Sequence, residues 1–364
     1  MSTAKRLCYF MSASSPTGFA SYFGHLTATG SGYRPYLIKG APGGGKSTIL
    51  QAVGDALVDA GHTVEFIHCS SDPDSLDAVV CREKGVAVMD ATAPHLQDPK
   101  YPGAHEQVIS LYGCIDARAL QPVRDDIVAH LDAATACHAR TCKFLSAAAS
   151  LLADDRAIVS RYTDWPKLQR YAQSVARRHF AEKPGGRAGV RSCRMLSTIG
   201  QKGPRTFTDT VRALCPDIYL IEDANRAVAP AFLKILAESA LAAGYDVTCC
   251  YWPLSPYDKL EHLLVPELGL AFVSQERQNT LSRELPRPYR HIYSRRFLDL
   301  DGLYAYRNRL SFNKKAAKEL LAEAVKVEKE AAAHHDAAEA LYRPAIDFEA
   351  VQKISDELVA AICG

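Results

Sequence analysis

YLIKGAPGGGKSTILQAVGDALVDAGHTVEFIHC, residues 36–69, opens on a short apolar run and passes through four glycines within six residues. It then continues with apolar positions at helical spacing. Ala60 and Gly61 end the helical stretch, and a second apolar run follows. The chain carries this pattern twice. YLIEDANRAVAPAFLKILAESALAAGYDVTCCYW starts at Tyr219, 183 positions after Tyr36, and matches the first stretch without a gap. One inserted residue later, SSDPDSLDAVVCREKGVAVMD aligns with PLSPYDKLEHLLVPELGLAFVS. DWPKLQRYAQSVA from Asp164 then meets DFEAVQKISDELV from Asp347 at an offset of 183 again. Two homologous halves are expected, 1–186 and 187–364. They join in EKPGGRAGVR, where Pro184, Gly185, Gly186 and Gly189 break the periodicity. In each half strand alternates with helix, which predicts an α/β fold with a parallel sheet covered by helices. A helical hairpin follows at about 124–180 and again at about 312–362.

In the first half, Gly40–Ser47 (GAPGGGKS) satisfy GxxxxGK[ST] between an apolar strand and a helix, the context this pattern requires. Glycines at 40, 43, 44 and 45 allow positive φ and close backbone approach, so successive N–H groups can turn inward on phosphate oxygens. The expected ligand is ATP with magnesium, cradled by Gly40, Ala41, Pro42, Gly43, Gly44, Gly45, Lys46, Ser47 and Thr48. Lys46 is assigned to the β and γ phosphates, Ser47 to the magnesium shell and Thr48 to the neighbourhood of the α phosphate. Asp90 closes the apolar run VAVMD and is the expected second magnesium residue. One helix and one strand fit between Lys46 and Asp90.

HCSSDPDSLD follows the second strand at the carboxyl edge, where such sheets bind ligands. Asp72 and Asp74 are the preferred residues for positioning water or accepting a proton, ahead of Asp77; the competing reading is a polar turn in which Ser71 and Asp72 cap a short helix. ATAPHLQDPKYPG, residues 91–103, is read as a loop over the same edge; His95 and Lys100 are candidate substrate contacts, with a solvated loop the preferred reading for either alone. In the second half the glycine loop has become DANRAVAP. Ala229 replaces Lys46, Pro230 replaces Ser47 and Ser274 replaces Asp90, so that core is read as degenerate, a structural or regulatory copy. Arginines at 277, 283, 287, 295 and 296 are candidates for reaching the first site from the second half.

The 364 residues are 48% hydrophobic and 23% charged with a net charge of +2, so neither a nucleic acid nor a lipid partner is read from global charge. Basic residues around the junction (Arg177, Arg178, Lys183, Arg187, Arg191, Arg194) are read as a solvated linker in preference to a nucleic-acid patch. Eleven cysteines without a CxxC pair suggest reduced thiols, and no apolar run reaches membrane-spanning length, so a cytoplasmic location is expected. Cys137, His138 and Cys142 lie in an Ala-rich helical stretch and are not read as a metal site.

GAPGGGKST, HCSSDPDSLD and DATAPHLQDPKYPGA together resemble a group of largely uncharacterised bacterial P-loop ATPases or NTPases built from two tandem cores. The resemblance spans nearly the whole chain. It implies nucleotide binding by Gly40–Thr48 and two P-loop NTPase-like cores. Members of that group often keep a glycine-rich loop in both halves, and this chain keeps only the first. Three functions are ranked: an ATPase driving motion between the halves, a small-molecule or nucleotide kinase, and a non-catalytic nucleotide sensor. Any phosphate acceptor would be a small molecule or protein of unknown identity.

Overall fold

The computed structural model describes residues 4–276, 281–285 and 290–364. The first half begins with β1 (Arg6–Tyr9), a small hairpin of β2 (Ser12–Ser15) and β3 (Gly18–Ser21), and one turn of helix, α1 (Gly24–Thr27). Next come β4 (Arg34–Lys39), α2 (Lys46–Asp59), β5 (Val64–His68), β6 (Leu76–Cys81), β7 (Val86–Asp90) and β8 (Gln107–Ser110). The long helix α3 (Arg124–Arg161) and its return helix α4 (Trp165–His179) complete it. Tyr36, Leu37 and Ile38 of β4 are buried, as expected of a strand with helices on both faces.

The first sheet runs β1-β5-β6-β7-β4-β8 and is mixed, which corrects the expectation of a parallel sheet. β6 lies antiparallel to β5 and β7, while the other neighbours run parallel. The cause is local. Only Arg82–Gly85 separate β6 from β7, with Gly85 at φ +64°, far short of the dozen or so residues a parallel crossover needs. One helix and two strands, therefore, stand between Lys46 and Asp90. Ser71 and Asp72 lie in the turn entering β6 and cap no helix.

The second half repeats this plan with β9 (Arg191–Arg194), β10 (Ser197–Gly200), β11 (Gly203–Thr206), α5 (Thr208–Leu214), β12 (Asp217–Glu222) and α6 (Ala229–Ala242). It continues with β13 (Val247–Tyr251), β14 (Leu260–Val265), β15 (Leu270–Gln275), α7 (Leu281–Glu284), β16 (Arg290–Tyr293), α8 (Leu300–Tyr304), α9 (Arg307–Tyr342) and α10 (Phe348–Cys363). Its sheet, β9-β13-β14-β15-β12-β16, matches the first strand for strand, antiparallel β14 included.

The halves meet as the two sides of a local two-fold. Phe10 and Met195 occupy equivalent positions and pair with each other, amide to carbonyl, at 2.9 and 2.8 Å. The return helices are exchanged across this axis. α10 lays Val351, Leu358 and Ile362 on Ile49, Leu50, Val53 and Leu57 of the first core, whereas α4 lays Leu168, Ala172 and Val175 on the second core around Phe232 and Leu236. Each large apolar side chain buried this way contributes roughly 1.5–3 kcal/mol. Both return helices start at an aspartate that caps them, Asp164 on the Lys167 amide at 2.9 Å and Asp347 on the Ala350 amide at 3.0 Å. α3 and α9 pack along one another and carry the exchange. Among the described residues no helix is long and apolar enough to cross a membrane.

Candidate functional site

The loop between β4 and α2 uses the backbone freedom of glycine. Gly43 and Gly45 adopt φ of +66° and +84°, and a Cβ on Gly44 would stand 2.9 Å from the Ala41 carbonyl oxygen. α2 begins at Lys46 without a side-chain cap. Among the described residues, the amides of Gly45, Lys46, Ser47 and Thr48 have no acceptor. Four backbone donors thus emerge at the positive end of one helix.

Lys46 Nζ bends back across the loop, 2.8 Å from the Ala41 carbonyl and 3.6 Å from Asp90 Oδ2. The other oxygen of Asp90 accepts from the Thr92 amide at 2.8 Å and hydroxyl at 2.5 Å. Ser47 Oγ accepts from the Leu76 amide at 2.9 Å, which ties the start of α2 to β6. The Gly43 amide donates to Glu339 Oε1 at 3.0 Å. Glu339 belongs to α9, so a carboxylate of the second half already rests on a loop amide of the first.

The second copy keeps the helix start that follows this loop and replaces the loop's chemistry, Val228 having φ −92° where Gly45 has +84°. Asp223, the counterpart of Gly40, is 2% exposed, and its carboxylate accepts from the amides of Val228 and Ala229, both at 2.7 Å. Those residues are the counterparts of Gly45 and Lys46. Arg226, the counterpart of Gly43, has φ +49°, the only positive value for a non-glycine among the described residues. Its guanidinium pairs with Glu261, reaches Glu276 at 2.7 Å and lies over the Trp252 ring at 4.9 Å. The second core therefore contains an anion on its loop amides and a cation beside it, both made from its own side chains.

The acidic string after β5 divides differently from the sequence expectation. Asp74 is exposed and held below the usual carboxylate range by Lys202, with Arg205 at 3.5 Å; Asp72 stands 3.9 Å from the same Lys202. Both aspartates face the β10–β11 hairpin of the second half. The residue that enters the sheet edge is Asp77, ranked behind them in the sequence reading. It occupies a β-bulge between β5 and β6, and Glu261 occupies the matching bulge in the second copy. Bulges of this kind re-aim a side chain at a site. Asp77 receives His95 Nε2 at 3.2 Å and Ser12 Oγ at 3.4 Å. Burial raises its pKa to about 6, His95 pulls the value down and the charge of Asp90 pushes it up, so Asp77 and Asp90 belong to one electrostatic neighbourhood. An aspartate inside the otherwise apolar run LDAVVC was the available signal. His95 is buried with Asp77 and not solvated, whereas Lys100 is exposed. Lys39, which the sequence reading passed over, reaches the Ala91 carbonyl at 2.7 Å and Asp98 at 3.0 Å beside the loop.

Of the arginines considered for the first site, Arg296 stacks on Tyr171 at 4.5 Å in the second core's own cover, and Arg295 is exposed. Arg277, Arg287 and the side chain of Arg283 lie outside the described residues. What the second half presents to the loop is Glu339. Three of the six junction residues form intramolecular ion pairs: Arg194 is buried on Glu65 at 2.7 Å, Lys183 pairs with Glu267 and Arg187 with Asp246.

No family model, curated protein or solved structure matches the chain.

Ser274, the counterpart of Asp90, donates its amide to His262 Nδ1 at 3.2 Å. His262 is fully buried, and burial lowers its pKa from 6.5 to about 4, so the neutral ring is the folded form. Between those values the unfolded chain takes up a proton that the folded chain refuses, and stability falls as pH falls. This group should remove on the order of 2 kcal/mol between pH 6.5 and 5. Asp77, raised to about 6, slopes the other way, so the effect is read as the difference between native protein and His262→Gln in urea unfolding. Identical pH slopes for the two proteins would refute it.

Proposed function

We propose that this chain binds ATP with magnesium at Gly40–Thr48 and hydrolyses it there, as a cytoplasmic two-core P-loop-like NTPase whose second core is a structural or regulatory copy. One comparison carries the reading. The amides of Val228 and Ala229 are satisfied by the Asp223 carboxylate, while the matching amides of Gly45 and Lys46 have no acceptor among the described residues and face a glycine where that carboxylate would stand. The second copy completes its cradle from within; the first is built to take its anion from outside. The donor set also suits the ligand. The loop amides and Lys46 match phosphate oxygens, Ser47 and Asp90 supply hard oxygen ligands for magnesium, and a Cβ at Gly44 would close the turn. Bound magnesium would neutralise phosphate charge, and Lys46 would exchange the Ala41 carbonyl for a phosphate oxygen.

Equilibrium binding of ATP with and without magnesium, followed by phosphate release, tests this. Binding with release is expected, and absence of binding at millimolar nucleotide would refute the proposal. A kinase is the second reading, favoured by Asp77 standing buried at the sheet edge beside Asp90, where an acceptor hydroxyl would need a base. Transfer of labelled phosphate to a member of a metabolite pool would select it, and binding with neither outcome would leave a sensor.

Glu339 gives this site a further expected behaviour. A phosphate oxygen on the Gly43 amide must displace a half-exposed carboxylate of like charge. Glu339→Gln should tighten magnesium-ATP binding roughly 5- to 10-fold by titration calorimetry, the gain being limited by solvent screening. Unchanged or weaker binding would show that the contact does not oppose the nucleotide.

A further inference from the structure

Beside the phosphate loop, three side chains that the hydrolysis reading does not use converge from three separate segments. Cys69 follows β5, Asp77 sits in the bulge at the start of β6, and His95 lies in the loop after β7. One ligand atom of each lies within 4.8 Å of the others. The three segments come together because β6 runs antiparallel, which brings its first residues to the edge where β5 and β7 end.

Three observations give the cluster a purpose beyond packing. The first is the comparison between copies. Each bulge carries a buried carboxylate that takes a serine hydroxyl, Ser12 on Asp77 and Ser197 on Glu261. Glu261 also has the guanidinium of Arg226, whereas the position of Arg226 is Gly43 in the first half. Asp77 is left with His95 as its only ion-pair partner among the described residues. The second is the histidine. His95 is 6% exposed and wedged edge-on against Phe19 and Phe23, with ring centroids 5.0 and 5.4 Å away, and its Nδ1 is buried with no hydrogen-bond partner among the described residues. Packing on the two rings and the Asp77 contact through Nε2 orient this ring, and Nδ1 is left over as a donor atom. The third is the sulfur. Cys69 lies on the same buried carboxylate, its side chain hydrogen-bonding Asp77; burial and then the Asp77 charge raise its thiol well above the ordinary range, so a cation would have to take the place of that proton. In the second copy Cys69 becomes Trp252, which stacks on Arg226, so the sulfur is lost where the guanidinium is gained.

We propose that Cys69, Asp77 and His95 form a binding site for a borderline divalent transition-metal cation of the zinc class. One thiolate, one imidazole and one carboxylate form a donor set suited to such an ion, and three protein ligands leave a fourth position open. In a tetrahedral site neighbouring ligand atoms stand roughly 3.3–3.8 Å apart, so the observed cluster needs only small side-chain shifts to close on an ion. Magnesium, which prefers oxygen ligands, is a poor occupant here and is assigned to Ser47 and Asp90. The site is independent of the nucleotide proposal.

The test uses the full chain, stripped with chelator and titrated with cobalt(II) in the absence of nucleotide. A near-ultraviolet thiolate-to-cobalt band with visible ligand-field absorption should saturate at about one equivalent and be displaced by zinc. Cys69→Ser should abolish the band, Asp77→Asn and His95→Gln should weaken binding about 10- to 100-fold, and Lys46→Ala should leave the spectrum unchanged. In the unmodified protein, zinc should slow alkylation of the Cys69 peptide, mapped by mass spectrometry. No thiolate band and no protection of Cys69 would mean that the three residues form a hydrogen-bonded cluster only. A band that survives in Cys69→Ser would place the metal on another of the eleven cysteines. Either result overturns this site while leaving nucleotide binding untouched.

Discussion

Arg226→Met should destabilise the protein by about 3–5 kcal/mol at neutral pH, the largest effect of any single change considered. The guanidinium stands between Glu261, 4% exposed, and Glu276, over the face of Trp252. Methionine fills most of its volume but leaves the Glu261 carboxylate buried without a cation. Hydrogen bonding by Ser197 cannot offset that loss of charge partner. Urea unfolding gives the number, and Arg226→Met combined with Glu261→Gln decides its origin. If uncompensated charge is the cause, the double variant recovers most of the lost stability; if packing on Trp252 is the cause, it does not. A single-variant loss below about 1 kcal/mol would show that Glu261 finds another partner or a proton.

Lys46→Ala should leave the fold nearly intact and weaken magnesium-ATP binding at least about 100-fold. In the free protein Lys46 spends its ammonium on the Ala41 carbonyl and, at 3.6 Å, on Asp90, contacts worth little net stability. With nucleotide bound, the same charge would meet phosphate oxygens that the amides alone only partly neutralise. The two variants therefore separate the roles of the halves. One should lower the melting temperature while sparing the ligand-induced shift, and the other should abolish the shift while sparing the melting temperature. At ligand concentrations 100 times Kd, the native shift corresponds to about 2.7 kcal/mol. A Lys46→Ala protein that keeps this shift would remove the basis for assigning the nucleotide to this loop.

Local elements were legible in the sequence because their determinants are local. Tyr36–Ile38, the glycines from 40 to 45 and the helical spacing after Lys46 encode strand, turn and helix within a few residues. The recurring offset between the copies, interrupted by one inserted residue, announced two sheets of one plan. The direction of β6 was missed because LDAVVC reads as a buried strand in either orientation, and only the four-residue connection through Gly85 decides. Asp72 and Asp74 looked favourable beside a strand end, but Lys202 and Arg205, some 130 positions away, hold Asp74 outward while a bulge turns Asp77 inward. Glu339 carried no recognisable signal. The stripes on α4 and α10 show that each helix covers something apolar, yet periodicity does not say whose core.

The exchanged return helices impose an order on biosynthesis. The loop and α2 leave the ribosome early, but the wall that shields their apolar face is encoded after Phe348, behind the entire second core. At ordinary elongation rates the wait is on the order of tens of seconds, during which Ile49, Val53 and Leu57 have no permanent cover. Chains cut short in the second half would display that bare surface, an apolar flag by which quality-control factors could sort unfinished copies from finished ones. The proposed nucleotide site and the last wall to be synthesised thereby share one helix, α2.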